Sequence, residues 1–316
     1  MLITKFIPSF IIKKGVRILF FIAIVFLPLS ASQGKEAVIE DILINLNKKI
    51  SYYSGNKRKT LGNVLNRINH KLIKTGLNKK DELVFILAGQ SNMRGYGITA
   101  KLPATYRRTP ANVKFYFNGY PAKMSHFAHF GPEVGFAHLL SRRFPNKTIK
   151  LIKFAVGGTS LFAWDPHWQL SKAKMTGNAS AGPLFKKLIK TIKRHSRLKS
   201  VKYTGILWMQ GEEDSRHSSA ARTYSQNLSE FVRALRKELH APSLTFFIGE
   251  VNPPIKAFPY REIVRKAQKN STARIRNSRL VSTQGLEKQQ DNLHYNTAGQ
   301  LALGIRFAKA FIQTAR

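Results

Sequence analysis

Short apolar runs alternate with segments of helical hydrophobic spacing from Leu83 to the end of the chain. The predicted strands are Leu83–Ala88, Val113–Phe117, Ile149–Val156, Thr204–Met209, Leu244–Glu250 and Arg279–Ser282. The predicted helices are Pro132–Phe144, Pro183–His195, Ser218–Leu239, Tyr260–Ala273 and Thr297–Thr314. Because the strands are apolar almost throughout and helices separate them, the pattern indicates a parallel sheet covered on both faces.

Polar or glycine-rich motifs follow several of these strands. Ser91 comes shortly after the first strand, Gly157 and Gly158 follow the third, Gln210 follows the fourth, and His294 lies in the loop after the last. In parallel α/β sheets, ligands bind beyond the carboxyl ends of the strands. The sequence therefore predicts a single site at that edge.

The N-terminal pattern is different and predicts an exported protein, periplasmic or secreted and of bacterial type. Within residues 1–31, basic residues precede an apolar run over 18–29, and the small residues Ser30 and Ala31 follow it. The run has about twelve residues, whereas a membrane span needs roughly 20. A cleaved signal peptide is therefore favoured, and an uncleaved N-terminal anchor stays open.

Residues 32–82 form a segment of their own, between the predicted leader and the main domain at 83–316. Apolar residues recur at helical spacing over 37–50 and again over 61–72, with a polar turn between them. This predicts a short helical N-terminal extension and linker, and it carries no recognisable chemistry.

Charge and cysteine content limit the function classes. The chain has 53 Lys and Arg against 16 Asp and Glu, a formal net charge of +37, and no cysteine. Disulfides, thiolate metal sites and a cysteine nucleophile are thereby excluded. The charge is compatible with an anionic polymer or an envelope surface as partner. The cations are spread along the whole chain, however, and no nucleic-acid-binding motif accompanies them, which favours a generally basic surface over a dedicated nucleic-acid site. We therefore predict no specific nucleic acid and no stable protein partner.

The candidate catalytic residues are a serine, a histidine and an acid. Ser91 is expected at a strand-to-helix turn, where a serine is either a nucleophile or simply a helix N-cap. Asp291 lies three residues before His294, an offset that lets its carboxylate reach Nδ1 and leaves Nε2 free as a base. Together these side chains have the composition of a hydrolase triad.

Further residues are candidates for supporting roles. The Gly158 amide and the Gln210 side chain are possible oxyanion donors, although Gly157 and Gly158 also suit a plain structural turn. Glu212 belongs to the densest acidic patch, but without histidines at metal spacing we predict no metal site. Trp164 follows the third strand, where it either stacks on a sugar or packs over the core.

These blocks, in this order, resemble the SGNH hydrolases. The matching segments are Gly89-Gln90-Ser91-Asn92, Gly157-Gly158-Thr159, Trp208-x-Gln210-Gly211-Glu212 and Asp291-x-x-His294, with Gly131-Pro132-Glu133 before a helix. More narrowly they are similar to the sialate O-acetylesterase and carbohydrate esterase family 6 (acetylxylan esterase) branch. The resemblance covers about residues 83–316. Most SGNH hydrolases have an asparagine donor in the third block. In this chain, as in the sialate O-acetylesterase branch, Gln210-Gly211-Glu212 replaces it.

The resemblance implies a flavodoxin-like three-layer α/β/α fold with a central parallel sheet of about five strands. It implies Ser91 as nucleophile, His294 as base and Asp291 as its orienting acid, with the Ser91 amide, the Gly158 amide and the Gln210 side chain as oxyanion donors. The supporting or substrate-binding candidates are Gln90, Asn92, Gly157, Glu212, Glu133 and Trp164.

The predicted function is that of a serine esterase that removes O-acetyl groups from an acetylated polysaccharide or sialic acid through an acyl-enzyme, without a cofactor. Two alternatives stay open. One is a non-catalytic basic envelope protein that binds anionic polymers, and the other is a lipase or thioesterase on the same scaffold.

Overall fold

The structure, a computed structural model, describes residue 63, residues 82–195 and residues 201–314. The predicted leader at 1–31 and nearly all of the predicted extension at 32–82 lie outside the described residues. Among the residues described, no helix is long and apolar enough to cross a membrane.

Strands and helices alternate along the described chain. The strands are β1 (Glu82–Gly89), β2 (Gly97–Ile98), β3 (Val113–Phe117), β4 (Tyr120–Ala122), β5 (His129–Phe130), β6 (Thr148–Ala155), β7 (Tyr203–Met209), β8 (Thr245–Gly249) and β9 (Ser278–Val281). The α-helices are α1 (Ser91–Arg94), α2 (Glu133–Arg143), α3 (Leu170–Lys174), α4 (Leu184–His195), α5 (Ser218–Glu238), α6 (Arg261–Arg274) and α7 (Thr297–Thr314). All eleven predicted strands and helices are present, each with boundaries within one residue of the prediction.

The central sheet has seven strands in the order β4-β3-β6-β1-β7-β8-β9. All neighbouring pairs are parallel except β3 and β4. Within it, the five strands β6-β1-β7-β8-β9 have the 2-1-3-4-5 order of flavodoxin-like folds, which confirms the predicted fold class. The sheet thus has two strands more than the about five that the resemblance implies: β3, which is the predicted strand Val113–Phe117, and β4, which was not predicted. The short strand β4 contains Pro121 and lies at the edge, where a proline costs no ladder hydrogen bond.

Helices cover both faces of the sheet. The ring of Phe85 on β1 contacts Phe136 of α2 and Phe311 of α7, at centroid distances of 4.9 and 4.8 Å. On β7, Trp208 contacts Phe231 of α5 at 4.5 Å. Because Trp208 is paired with Ala88, three residues after Phe85, the two rings point to opposite faces. The core is therefore two aromatic-rich layers on either side of the sheet.

Candidate active site

The candidate nucleophile lies where β1 ends and α1 begins. Ser91 is the first residue of α1 and is 4% exposed. Before it, Gly89 has a φ of +146°, and a Cβ added there would lie 2.0 Å from the carbonyl oxygen of Met209. The Gln90 amide donates to that carbonyl at 2.9 Å. Glycine at this position thus lets the ends of β1 and β7 approach closely, at the switch point of the strand order.

Asp291 and His294 lie in the loop that leads into α7 and are hydrogen bonded to each other. His294 Nδ1 is 2.5 Å from Asp291 Oδ2, while Asp291 Oδ1 accepts from the amides of Leu293 and His294, each at 2.9 Å. Because an ionised carboxylate only accepts hydrogen bonds, the Nδ1 proton faces Asp291 and Nε2 is left as the basic nitrogen.

The environment of Asp291 keeps it ionised. Its partial burial raises the pKa, but the amides of His294 and Leu293 and the His294 ring outweigh that effect and hold the pKa of Asp291 below its ordinary value. On its ring face, His294 is stacked with Tyr96, with centroids 4.0 Å apart and ring planes at 19°. Tyr96 thus contacts the candidate base, and nothing in the sequence pattern marks it for that position.

Asn92 connects the serine turn to the histidine loop. Its Oδ1 accepts from the Tyr295 amide at 3.1 Å, and its Nδ2 donates to the Leu293 carbonyl at 3.2 Å. These two groups flank His294 in the chain. The residue directly after Ser91 is therefore fixed to the residues on both sides of His294, although about 200 positions separate the two segments.

The Asn92 side chain is also hydrogen bonded to Glu212. Glu212 Oε1 accepts from Asn92 Nδ2 at 2.7 Å, and the Glu212 side chain is buried. Its second oxygen, Oε2, has no hydrogen-bond partner among the described residues. Burial raises the pKa of Glu212, against the opposing effects of the Asn92 hydrogen bond and of the His294 and Lys288 charges. A buried carboxyl group with a raised pKa is therefore hydrogen bonded to the asparagine that holds the histidine loop.

The Gly157–Gly158 turn follows β6 and adjoins the serine. The position of a Cβ on Gly157 would be 3.6 Å from Ser91 Cβ. Gly158 has a φ of +63°, and a Cβ there would meet no atom within 4 Å, so its surroundings are open. Asn178 Nδ2 donates to the Gly158 carbonyl and holds this turn from the outside. The site thus has a backbone turn beside Ser91 with free space in front of it.

The Gln210 side chain does not have the free donor that the sequence analysis expected. It is fully buried, and its Nε2 donates to Thr159 O at 2.8 Å and to Asp214 Oδ2. Those two bonds use both amide hydrogens. The placement of Gln210 therefore contradicts the role of oxyanion donor, and its observed role is to tie β7 to the loop after β6.

Gln90 is also a structural link rather than a cleft residue. Its Oε1 accepts from the amides of Gly211 and Glu213 at 3.2 and 3.3 Å. This fixes the loop after β7 against the serine turn.

Glu133 lies beneath the serine turn in a buried ion pair. Its Oε2 is 2.6 Å from Lys153 Nζ, and its Oε1 accepts from the Gly131 amide at 2.9 Å. Lys153 Nζ also donates to the carbonyl of Arg94, the last residue of α1, at 2.8 Å. Glu133 thus supports the serine helix from below and is not placed to bind substrate. The sequence analysis did not identify Lys153; β6 contains two lysines, Lys150 and Lys153, and a lysine within a buried strand indicates an ion pair or a functional role.

Trp164 is a core residue, so the sugar-stacking interpretation is wrong. It is fully buried, contacts Phe154 and Trp208 at 5.7 and 5.2 Å, and donates from Nε1 to Thr159 Oγ1 at 3.0 Å. The alternative, packing over the core, is what the structure shows.

A cleft of about 880 Å³ adjoins the histidine loop on the side of Asp291 and Tyr96. Basic side chains, Lys101 and Lys288, and His129 line it together with Ile98. No group of three or more metal-ligating side chains occurs within residues 82–195 and 201–314.

The fold is the flavodoxin-like fold of SGNH-type hydrolases. A family model described as "Carbohydrate esterase, sialic acid-specific acetylesterase" matches residues 81–313. The chain belongs to this family. It is accordingly a carboxylic ester hydrolase of the carbohydrate acetylesterase group.

Similar proteins span the same part of the chain. A "probable carbohydrate esterase" of Arabidopsis thaliana is 26% identical over 253 residues, covering 72% of this chain and 90% of the relative. A crystal structure of an Arabidopsis thaliana protein superposes with a TM-score of 0.62 at 24% identity, over 74% of this chain and 98% of that one. The structure of NanS has a TM-score of 0.56 at 18% identity, over 76% and 99% of the two chains. These structural similarities show the shared fold.

Proposed function

We propose that this protein hydrolyses O-acetyl esters of a carbohydrate with Ser91 as nucleophile, His294 as base and Asp291 as the acid that orients it. One observation carries the proposal: Asn92, directly after Ser91, binds the backbone on both sides of His294. A structural N-cap serine needs no such connection to a histidine loop.

The reaction has two half-reactions. His294 Nε2 removes the Ser91 hydroxyl proton as Oγ attacks the acetyl carbonyl carbon. The resulting oxyanion accepts hydrogen bonds from the backbone amides of Ser91 and Gly158. The sugar oxygen then leaves and takes the proton from His294, which leaves an acetyl ester on Ser91. A water molecule, deprotonated by His294, attacks that ester, and acetate and the free serine are released.

Glu212 and Asn92 act as positioning residues in this proposal. They hold the backbone around His294, so the imidazole keeps its orientation through both half-reactions. Tyr96 limits rotation of the imidazole from its ring face.

The substrate we propose is an acetylated polysaccharide or O-acetyl sialic acid. The family description names sialic acid, and the similar protein of Arabidopsis thaliana is described as a probable carbohydrate esterase. Acetylated xylan belongs in the same panel, because the motifs also resemble acetylxylan esterases. The basic composition favours anionic polymers among these substrates.

We also propose export, with residues 1–31 as leader or anchor, 32–82 as linker and the esterase domain from residue 83 onward. The support is the order of basic residues, apolar run and small residues at the N-terminus.

Acetate release from acetylated xylan, O-acetyl sialic acid and p-nitrophenyl acetate tests the function. Wild type and Ser229→Ala, a serine on the body of α5, should release acetate at similar rates, whereas Ser91→Ala should be slower by several orders of magnitude. Equal rates for Ser91→Ala and wild type would refute the proposal. A preference for long acyl chains would instead favour the lipase or thioesterase alternative. Salt-sensitive polyanion binding without any hydrolysis would favour the envelope-binding alternative.

A further inference from the structure

The large apolar side chains that are exposed in the described chain all lie at the edge of the sheet that carries Ser91. These residues are Ile98, Leu170, Met175, Ile255 and Ile263. Leu170, Met175 and Ile255 are the most open, at 47%, 56% and 51%.

Their places in the fold explain why they share one edge. Ile98 is in β2, just after the serine helix, and its amide donates to Thr297 at the start of α7. Leu170 and Met175 lie in the segment after β6, which also contains Gly158. Ile255 follows β8, and Ile263 is in the first turn of α6. Each of these segments leaves or rejoins the sheet at the carboxyl ends of its parallel strands.

Single exposed apolar residues are ordinary on a protein surface, but their confinement to one edge is not. The outer faces of the helices are charged instead, with exposed lysines at Lys186 and Lys190 on α4 and Lys237 near the end of α5. We name the apolar set Ile98, Leu170, Met175, Ile255 and Ile263 the rim, because its segments follow parallel strands at the sheet edge that carries Ser91.

Exposed lysines are interspersed with the rim. Lys101, Lys174, Lys256 and Lys266 each lie within three residues of a rim residue. None of these four lysines has a carboxylate within ion-pair distance among the described residues. Their charge adds to a chain with a formal net charge of +37. A partner for this surface must therefore offer both an apolar layer and negative charge.

Aliphatic side chains with flanking lysines fit a lipid surface better than a sugar. Sugars stack on aromatic rings, and none of the five exposed residues of the rim is aromatic; the ring of Tyr96, in the cleft beside Ile98, is stacked on His294. Aliphatic side chains bury into the acyl boundary of a bilayer, while neighbouring lysines reach anionic headgroups. We propose that the rim docks this protein onto an anionic phospholipid bilayer, so that the candidate active site faces the membrane surface.

Docking at the rim would bring Ser91 to esters held at a membrane surface. This inference concerns the surface alone and stands whether or not Ser91 is the nucleophile.

The absence of cysteine allows a site-specific test on the full-length protein. An environment-sensitive fluorophore is attached to Met175→Cys, to Ile255→Cys and, as the matched control at the far end of α5, to Lys237→Cys. Vesicles of phosphatidylglycerol should shift the emission of the two rim labels to shorter wavelength and leave the Lys237→Cys label unchanged. No shift at the rim, or the same shift at all three sites, would overturn the proposal.

Binding strength gives a second readout. The variant Leu170→Ser/Met175→Ser/Ile255→Ser should partition about tenfold more weakly to phosphatidylglycerol vesicles than wild type, since it loses the apolar area of three half-exposed side chains. The control Lys190→Ser/Lys237→Ser removes two cations from α4 and α5, away from the rim. Its affinity for the vesicles should be closer to that of wild type than the affinity of the rim variant. Phosphatidylcholine vesicles and added NaCl should each weaken wild-type binding. A smaller loss in the rim variant than in the lysine control would contradict docking through the rim.

Unchanged p-nitrophenyl acetate hydrolysis by the rim variant without vesicles shows that it is folded. If wild type itself lacks that activity, circular dichroism and urea unfolding show whether the rim variant is folded. Missing esterase activity would then contradict the proposed function but not membrane docking, which the vesicle experiments test separately.

Discussion

Asn92 Nδ2 donates a buried 2.7 Å hydrogen bond to Glu212 Oε1, and this bond joins the serine turn after β1 to the loop after β7. The same amide group holds the Leu293 carbonyl beside His294. The candidate nucleophile, the candidate base and a buried carboxyl group are thus linked through one asparagine side chain.

Replacing Asn92 with Ala should lower kcat about 100-fold, because the backbone around His294 loses its attachment to the serine turn. KM for a small ester such as p-nitrophenyl acetate should change much less. Asn227→Ala, which removes an asparagine hydrogen bonded within α5, is the matched control and should be nearly neutral. An Asn92→Ala variant with wild-type kcat would show that this connection has no part in catalysis.

Asp291→Asn should reduce kcat by a factor on the order of 10³–10⁴, because an amide NH2 facing His294 Nδ1 stabilises the wrong tautomer of the ring. The Asn oxygen can still accept from the Leu293 and His294 amides, so the loop should keep its conformation. Kinetics with p-nitrophenyl acetate and urea unfolding together separate the two effects. A loss of activity that simply follows a loss of stability would refute the orienting role.

Gln210→Ala should be destabilising, by about 2–4 kcal/mol in the free energy of unfolding, since the Thr159 carbonyl loses its buried side-chain donor and the Asp214 carboxyl keeps only the Leu161 amide. Urea unfolding measures this. Gln313→Ala on the exposed face of α7 provides the control. If Gln210→Ala keeps full stability and loses only kcat, the side chain is an oxyanion donor after all.

Asp214 should make the protein less stable as the pH rises from about 4 to 7. Burial raises the pKa of Asp214 from 3.8 to about 7, so in this range the folded state binds a proton that the unfolded state has released. The difference corresponds to about 4 kcal/mol at the upper end of the range. Asp214→Asn cannot titrate, so its unfolding free energy should fall less than that of wild type between about pH 5 and pH 7.5. Equal changes in both proteins would mean that the pKa of Asp214 is not raised.

The fold could be predicted from the sequence to a large degree, because parallel buried strands and amphipathic helices have strong and different periods. The boundaries of Val113–Phe117 and Thr297–Thr314 agree with the structure. Strand β4 was missed because three residues that include Pro121 carry no strand period.

The candidate site could be predicted less completely. Asp291 and His294 are close in sequence, so local geometry indicated their hydrogen bond. Gln210 was assigned by resemblance, and only tertiary packing shows that Thr159 and Asp214 use its donors. Trp164 likewise looks the same in sequence whether it faces a sugar or the core. Only its contacts with Phe154 and Trp208, which lie in two strands of the sheet, show that it faces the core.

Covalent labelling of the serine shows whether Ser91 is the nucleophile. A p-nitrophenyl dialkyl phosphate should phosphorylate one serine, with release of p-nitrophenolate in proportion to the loss of esterase activity. Peptide mass mapping should place the label on Ser91, and His294→Ala should label far more slowly. Inactivation with the label on another residue, or full activity after Ser91 is labelled, would contradict the account.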